Sequence, residues 1–274
     1  MYSSKKTKTS SKSSKNSKVS SKKNELTICG WNACWSQFKN RPNDILRLYF
    51  LDEISLKLKP VTQFCSQNKL PYRLLNLESL TKISASIHHE GIAMTIRPPE
   101  LNFAREIIKK GLPINSISLT LDRIGNPHNF GAIIRSAVYF GTKNIFLSES
   151  PGQATISSSV FRMAEGALPL VSIYKCSNLP STLRDLKSSG TFILGADVKT
   201  SNSLYEQSIS FPCMLVLGNE KEGLSDKVKS RCDSLIRIPG TGEINSLNVS
   251  VAAGTILSEI YRRKLSIKKN SRLT

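Results

Sequence analysis

Three stretches carry residue types that could do chemistry together. The first is Asn129-Phe130-Gly131-Ala132-Ile133-Ile134-Arg135, preceded by Asp122, Asn126, Pro127 and His128. It sets an amide and a permanent positive charge six residues apart, close to one side of a helix that Asn129 can cap. Gly131 lets a bulky neighbour approach the backbone. Arg135 alone reads equally well as a surface ion-pair residue. The second is Gly218-Asn219-Glu220-Lys221-Glu222-Gly223, a glycine loop after the apolar run Leu215–Leu217. Its spacing is neither G-x-G-x-x-G nor G-x-x-x-x-G-K-[ST], and its two carboxylates would repel a pyrophosphate. A ligand with a cationic centre or an adenosine suits it better, with Glu220 either taking part in chemistry or pinning the loop. The third is Ile238-Pro239-Gly240-Thr241-Gly242, followed by Ser246-Leu247-Asn248-Val249-Ser250. Ser and Asn ahead of a small-residue helix are, by themselves, ordinary caps.

The elements that must position these stretches alternate. Apolar runs predict strands at Ser116–Leu121, Asn144–Leu147, Leu168–Ile173, Thr191–Leu194, Pro212–Leu217 and Leu235–Ile238. Helices are expected at Gly131–Phe140, Ser157–Glu165, Leu179–Ser188 and Leu247–Arg263. Near-continuous apolar strands alternating with helices predict an α/β fold with a mostly parallel sheet covered on both faces. Ligands of such sheets bind beyond the carboxyl ends of the strands, where the loops after Leu217 and Ile238 fall. Ahead of this, residues 25–97 predict a small α/β unit, with strands at Leu26–Cys29, Ile45–Leu51, Tyr72–Leu75 and Ile92–Ile96. Residues 98–115 read as a connector carrying an amphipathic helix over Leu101–Lys110.

Lys and Arg number 39 against 20 Asp and Glu, a net charge of +19. That excess favours a polyanionic partner, because phosphate contacts release counterions. Residues 1–24 contain eight lysines, no acid and almost nothing apolar, and are expected to stay disordered. Residues 267–274 are expected to form a basic tail. No apolar run approaches the ~20 residues of a membrane span, and no apolar segment follows the N-terminal lysines. Both features predict a soluble, cytoplasmic protein with no membrane partner. The six cysteines form no C-x-x-C pair and read as buried small residues. Adjacent His88 and His89 point to opposite sides of an extended chain and chelate one ion poorly. No metal is expected.

In this order, N-x-G-x-x-x-R, L-G-x-E-x-x-G-L and I-P-x-x-G-x-x-x-S-L-N-V-S resemble the SpoU-type (TrmH-like) RNA ribose methyltransferases of the SPOUT class. The resemblance covers about 116–264. The segment headed by Ile28-Cys29-Gly30-Trp31-Asn32-Ala33 and closing on His89-Glu90-Gly91-Ile92 resembles the small RNA-substrate-binding domain often joined to them. It implies a C-terminal deep trefoil knot, a homodimer through that knot, tRNA or rRNA as partner, and S-adenosyl-L-methionine as cofactor, held in bent form by Gly218, Ile238 and Leu247. It assigns the ribose 2′-hydroxyl chemistry to Arg135, with Asn129, Glu220, Ser246 and Asn248 completing the site. The carboxylates near Gly218 would then face a sulfonium. Three places depart from the family pattern: Glu220-Lys221-Glu222-Gly223 where E-G-x-G is common, at the cost of one glycine, Gly240 where Met is common, and Glu165 where a small residue is common, near the expected RNA path. A non-catalytic RNA-binding protein of the same fold is the competing reading. A nicotinamide-dependent enzyme is disfavoured by the missing dinucleotide fingerprint.

Overall fold

A computed structural model describes residues 25–270. The lysine-rich segment 1–24 and residues 271–274 lie outside it.

The chain builds two sheets. The first holds β1 (Leu26–Cys29), β2 (Ile45–Phe50), β3 (Tyr72–Leu74) and β4 (Ile92–Ile96), in the order β1-β4-β2-β3. β4 runs antiparallel to β1 and β2, and β3 is parallel to β2. Helices α1 (Trp31–Asn40), α2 (Lys59–Gln67) and α3 (Leu77–Ser84) connect these strands.

The second sheet has seven parallel strands. In chain order they are β5 (Asn102–Phe103), β6 (Ile117–Leu121), β7 (Asn144–Ser148), β8 (Ser172–Cys176), β9 (Phe192–Ala196), β10 (Cys213–Leu217) and β11 (Ser234–Ile236). Side by side they run β11-β9-β10-β6-β7-β8-β5. β6, β7 and β10 are buried at every residue, as expected where helices cover both faces. The covering helices are α4 (Ala104–Lys110), α5 (Pro127–Tyr139), α6 (Ser158–Met163), α7 (Leu179–Ser188), α8 (Asp226–Lys229) and α9 (Val249–Asn270). The α/β class and parallel sheet expected from the sequence are both present.

Four expectations need correction. The connector is part of the sheet: Asn102 and Phe103 pair with Tyr174 and Lys175 as an edge strand, and α4 begins only at Ala104. Leu168–Leu170 is a 3₁₀ turn, because Pro169 has no N–H to give a ladder, and the strand starts at Ser172. Residues 267–270 continue α9 instead of forming a tail. Finally, α5 begins at Pro127, where a missing N–H costs nothing. Its cap is Asn126, whose side chain accepts from His128 N at 2.8 Å, so Asn129 sits inside the first turn and its side-chain amide is not used as the cap.

The two sheets share one apolar interior. Ile28, Cys34 and Leu48 of the first belong to the same buried cluster as Leu119, Phe130, Ile133 and Ala164 of the second. Polar bonds close the junction. Ser36 Oγ donates to Gly166 O at 2.6 Å, and Arg41 donates to Pro169 O at 3.2 Å and Val171 O at 2.9 Å. Gly166 is obligatory here: its φ is +84°, and a Cβ would lie 2.7 Å from Asn32 O.

α9 folds back against α5. Ala253, Ile256, Leu257 and Ile260 are buried on its inner face, and each large one contributes roughly 1.5–3 kcal/mol by leaving water. In the small-residue stretch 252–254, Ala253 is buried by packing within the chain. Near its end, Glu259 takes both Arg262 and Arg263, and Arg263 also donates to the carbonyls of Leu204 (3.0 Å), Tyr205 (2.7 Å) and Gln207. This clamp ties α9 to the segment between β9 and β10. Among the described residues no helix is long and apolar enough to cross a membrane.

Candidate active site

Because all seven strands run the same way, their carboxyl ends lie along one edge. β6 delivers Asp122 and Arg123 there, β10 delivers Gly218 and its loop, and the chain beyond β11 delivers Ile238. The exposed segment from Pro239 to Asn248 then leads into α9.

The loop after β10 is organised by Asn219. Its Oδ1 accepts from Lys221 N (2.9 Å) and Glu222 N (3.1 Å), its Nδ2 donates to Arg123 O (2.9 Å), and its carbonyl accepts from Gly223 N (2.8 Å). The loop closes so tightly that a Cβ on Gly218 would lie 2.4 Å from Gly223 C and 2.5 Å from Leu224 N. Only glycine fits.

Arg123, at φ +61°, braces this loop from outside. Its guanidinium meets Asp122 at 3.4 Å, donates to Gly223 O at 3.1 Å, and pairs with the Glu222 carboxylate. Asp122 is only 3% exposed, and Arg123 is the cation beside it. Burial lowers the affinity of the Arg123 guanidinium for its proton, but Asp122 and Glu222 outweigh it and the net shift is upward.

Three of the sequence-predicted residues meet in one relay. Asn248 caps α9, its Oδ1 accepting from Ser250 N (2.8 Å) and Ser250 Oγ (2.6 Å). That leaves Nδ2 to donate to Asn129 Oδ1 at 3.1 Å, and Asn129 Nδ2 to donate to Glu220 Oε1 at 3.0 Å. The backbone cap therefore dictates both amide orientations and ends the relay on a carboxylate, the one group in it that can only accept.

The remaining predictions fare differently. Ser246 is exposed and makes no hydrogen bond to the described residues. Ile238 is half-buried against the main core, and Leu247 is 51% exposed. Arg135 does not join the relay. Six residues make 600° of helix, so it projects about 120° away from Asn129 and about 9 Å along the axis. It lines instead a cleft between the two sheets. The two carboxylates of the loop both have protein partners: Glu222 pairs with Arg123, and Glu220 accepts from Asn129. Sequence reasoning missed Arg123 and Asn219. The signal was an Asp-Arg pair directly after a buried strand, and an Asn directly after the strand-ending glycine.

His89 is satisfied within its loop, as expected. Nδ1 accepts from Gly91 N at 3.1 Å, which leaves Nε2–H to meet Thr81 Oγ1 at 3.2 Å. The thiols of Cys213 and Cys232 are pushed up to about 12, chiefly by burial. Among the described residues no three His, Cys, Asp or Glu side chains are grouped to hold a metal.

Known proteins are similar to this chain in sequence and fold. The SpoU rRNA Methylase family matches residues 116–258, over half the chain. The chain belongs to this family. The SpoU assignment is joined by a second match, over residues 27–102, to the RNA 2′-O ribose methyltransferase substrate-binding family. The 23S rRNA (guanosine-2′-O-)-methyltransferase RlmB of Xanthomonas axonopodis pv. citri is 31% identical over 250 residues, 89% of this chain and 99% of that one. Among solved SpoU-type structures, the A. aeolicus TrmH/SpoU tRNA modifying enzyme is 30% identical, with 61% of this chain and 84% of that one covered, at a TM-score of 0.52. The AdoMet-bound rRNA methyltransferase from Sinorhizobium meliloti shares the fold at a TM-score of 0.76 and 20% identity, over 88% of each chain.

Proposed function

We propose that this SpoU-family chain transfers a methyl group from S-adenosyl-L-methionine to a ribose 2′-hydroxyl of tRNA or rRNA. The observation that carries the reading is the relay Asn248–Asn129–Glu220, which ties three separate segments together at the carboxyl edge of the sheet.

The residues fit the cofactor. The peptide groups of Gly218, Ile238 and Leu247 make no hydrogen bond to other described residues, and they belong to the three loops of that edge, free to bind a ligand through backbone. When bound, the cofactor supplies an electrophilic methyl on a sulfonium. Arg123 and Asn219 keep the Gly218 loop in shape, and the relay holds Asn129 and Glu220 in one orientation.

A 2′-hydroxyl losing its proton builds negative charge on oxygen. A guanidinium is a poor base, so the role of Arg135 is to stabilise that charge and not to take the proton. Because Arg135 stands on the cleft side and the relay on the loop side, the reacting nucleotide spans the two. Ser246, free of partners, joins at the RNA side.

The order β11-β9-β10 and the return of α9 onto α5 support a deep trefoil knot formed by the C-terminal segment. A homodimer through that region is supported by apolar side chains left in the open: Tyr139 on α5, Ile244 and Leu247 on the preceding loop, and Val251 on α9. The small first sheet serves as the RNA-substrate-binding unit, and the excess of lysine and arginine suits its polyanionic partner.

The test is direct. The full chain is incubated with methyl-labelled cofactor and total RNA, and the RNA is digested to nucleosides. Label in 2′-O-methylnucleosides is expected; label confined to bases, or none, overturns the reading.

A further inference from the structure

Helix α1 carries a row of aromatic rings. Trp31, Trp35 and Phe38 recur at i, i+4 and i+7, which sets them on one stripe of the helix. The Trp31 and Trp35 indoles stack at 5.4 Å with 12° between their planes. Phe38 follows at 5.7 Å, and Phe64 of α2 closes the row at 5.7 Å. All four rings pack against the main apolar core and are only half-buried. The ammonium of Lys39 stands 5.4 Å over Trp35.

Two features separate this row from ordinary core. Neither indole N–H has a hydrogen-bond partner among the described residues, whereas a buried tryptophan usually finds one. The row is also open at one end. Trp35 stacks on Trp31, and among the described residues no other ring or cation lies against that indole. Trp31 is nonetheless held in place. Its backbone N–H donates to Glu90 Oε2 at 2.7 Å, its ring rests on Trp35, and both pack on the core. A platform fixed before its ligand arrives has little side-chain freedom left to lose.

The position of the row identifies what it holds. Gly30 and Asn32, the chain neighbours of Trp31, line the cleft that Arg135 also lines. One residue along the helix, about 100° around it, lies the stripe of Asn32 and Ser36, which bond Glu165 and Gly166 beside the second sheet. The row therefore starts at the rim of the cleft and leads away from it. An RNA strand whose ribose reaches Arg135 brings a neighbouring nucleotide to that rim. Every base has a flat π-face that an indole can cover, but a base inside a duplex has both faces taken by its neighbours. Lys39 adds a cation beside the row, and the chain's net charge of +19 suits the phosphates of the same strand.

We propose that Trp31 stacks an unpaired base of the RNA, one that flanks the nucleotide methylated at the cleft. The proposal rests on the ribose methyltransferase reading above and deepens it: the substrate is single-stranded beside its target, and the platform reads a π-face and not a sequence.

The two tryptophans of the row are the only ones in the chain, so intrinsic fluorescence of the full-length protein reports on it directly. The probe is an unpaired oligoribonucleotide of mixed sequence, titrated alone and annealed to its complement. The single strand is expected to quench the emission, and the duplex to leave it nearly unchanged. Trp35→Phe keeps a ring beneath Trp31 and makes Trp31 the sole tryptophan, and the quenching should persist. In methylation of total RNA, Trp31→Ala is expected to raise KM for RNA roughly 5- to 100-fold, with kcat and cofactor affinity unchanged. Trp31→Phe should recover most of that loss, and Trp31→Leu, apolar but without a π-face, should not. Absence of quenching by the single strand, as when the row serves a protein partner, overturns the proposal. So does equal quenching by the duplex, or a Trp31→Leu variant that melts lower yet keeps the wild-type KM, the mark of a purely structural row. In those cases 2′-O-methylation itself survives. Absence of every 2′-O-methylnucleoside sinks the methyltransferase reading, and with it the placement of this base beside a methylated ribose.

Discussion

Asn248 Nδ2 donates to Asn129 Oδ1 across 3.1 Å, and the direction of that bond is set by the cap of α9. A residue 119 positions away thereby decides which face Asn129 turns to Glu220. Asn129→Ala removes both hydrogen bonds of the relay and releases Glu220. Methyl transfer is expected to fall about 10- to 100-fold, the worth of a hydrogen bond to a charged group. Cofactor affinity should hold within a few-fold. Single-turnover rates beside calorimetry separate the two, and an unchanged rate would remove the relay from the site.

Arg135→Ala is expected to abolish methyl transfer while leaving cofactor binding nearly intact, because the residue faces the cleft and not the Gly218 loop. Activity equal to wild type would contradict its role at the 2′-oxygen.

Gly218→Ala has a different signature. The added Cβ meets backbone atoms of Gly223 and Leu224, which cannot rotate away as a side chain can. We expect about 1–3 kcal/mol of destabilisation and at least roughly tenfold weaker cofactor binding. A variant with wild-type melting and wild-type affinity would mean that the loop does not hold the cofactor.

The clamp at Glu259 predicts a pH dependence. Its carboxyl is held down from the ordinary 4.5 to about 2, first by hydrogen bonds from Arg262 and then, against the cost of burial, by those from Arg263. A group whose pKa is depressed in the folded state stabilises it above the unfolded value, and that contribution fades as pH falls through the folded one. The melting-temperature gap between wild type and Glu259→Gln should therefore be full at pH 7 and close between about 4.5 and 2. A gap that stays constant with pH would show that the pairing contributes nothing.

Val251 is 53% exposed on α9 in a single chain. Val251→Glu should convert a dimer to a monomer in size-exclusion chromatography with light scattering. Wild type that is itself monomeric at micromolar concentration would remove the homodimer from the reading.

The strands and the three loop motifs were legible because buried parallel strands leave unbroken apolar runs and their ends leave glycines. The boundaries failed where one residue overruled a run, as Pro169 did. Side-chain partnerships were not legible at all. Arg123 and Glu222 lie 99 positions apart, and Asn129 and Glu220 lie 91 apart, so no local pattern announces them. The side of α5 that Arg135 faces was misjudged for a simpler reason: six residues stop about 120° short of two full turns, which seven would nearly complete. The shared interior of the two sheets was hidden as well, since each half looks self-sufficient when read along the chain.

That shared interior makes the cleft a gauge of fixed width. With Gly166 seated against Asn32 and apolar side chains running unbroken from one sheet to the other, the halves cannot swing apart or close without opening a packed core. Whatever enters that cleft meets a width set before it arrives.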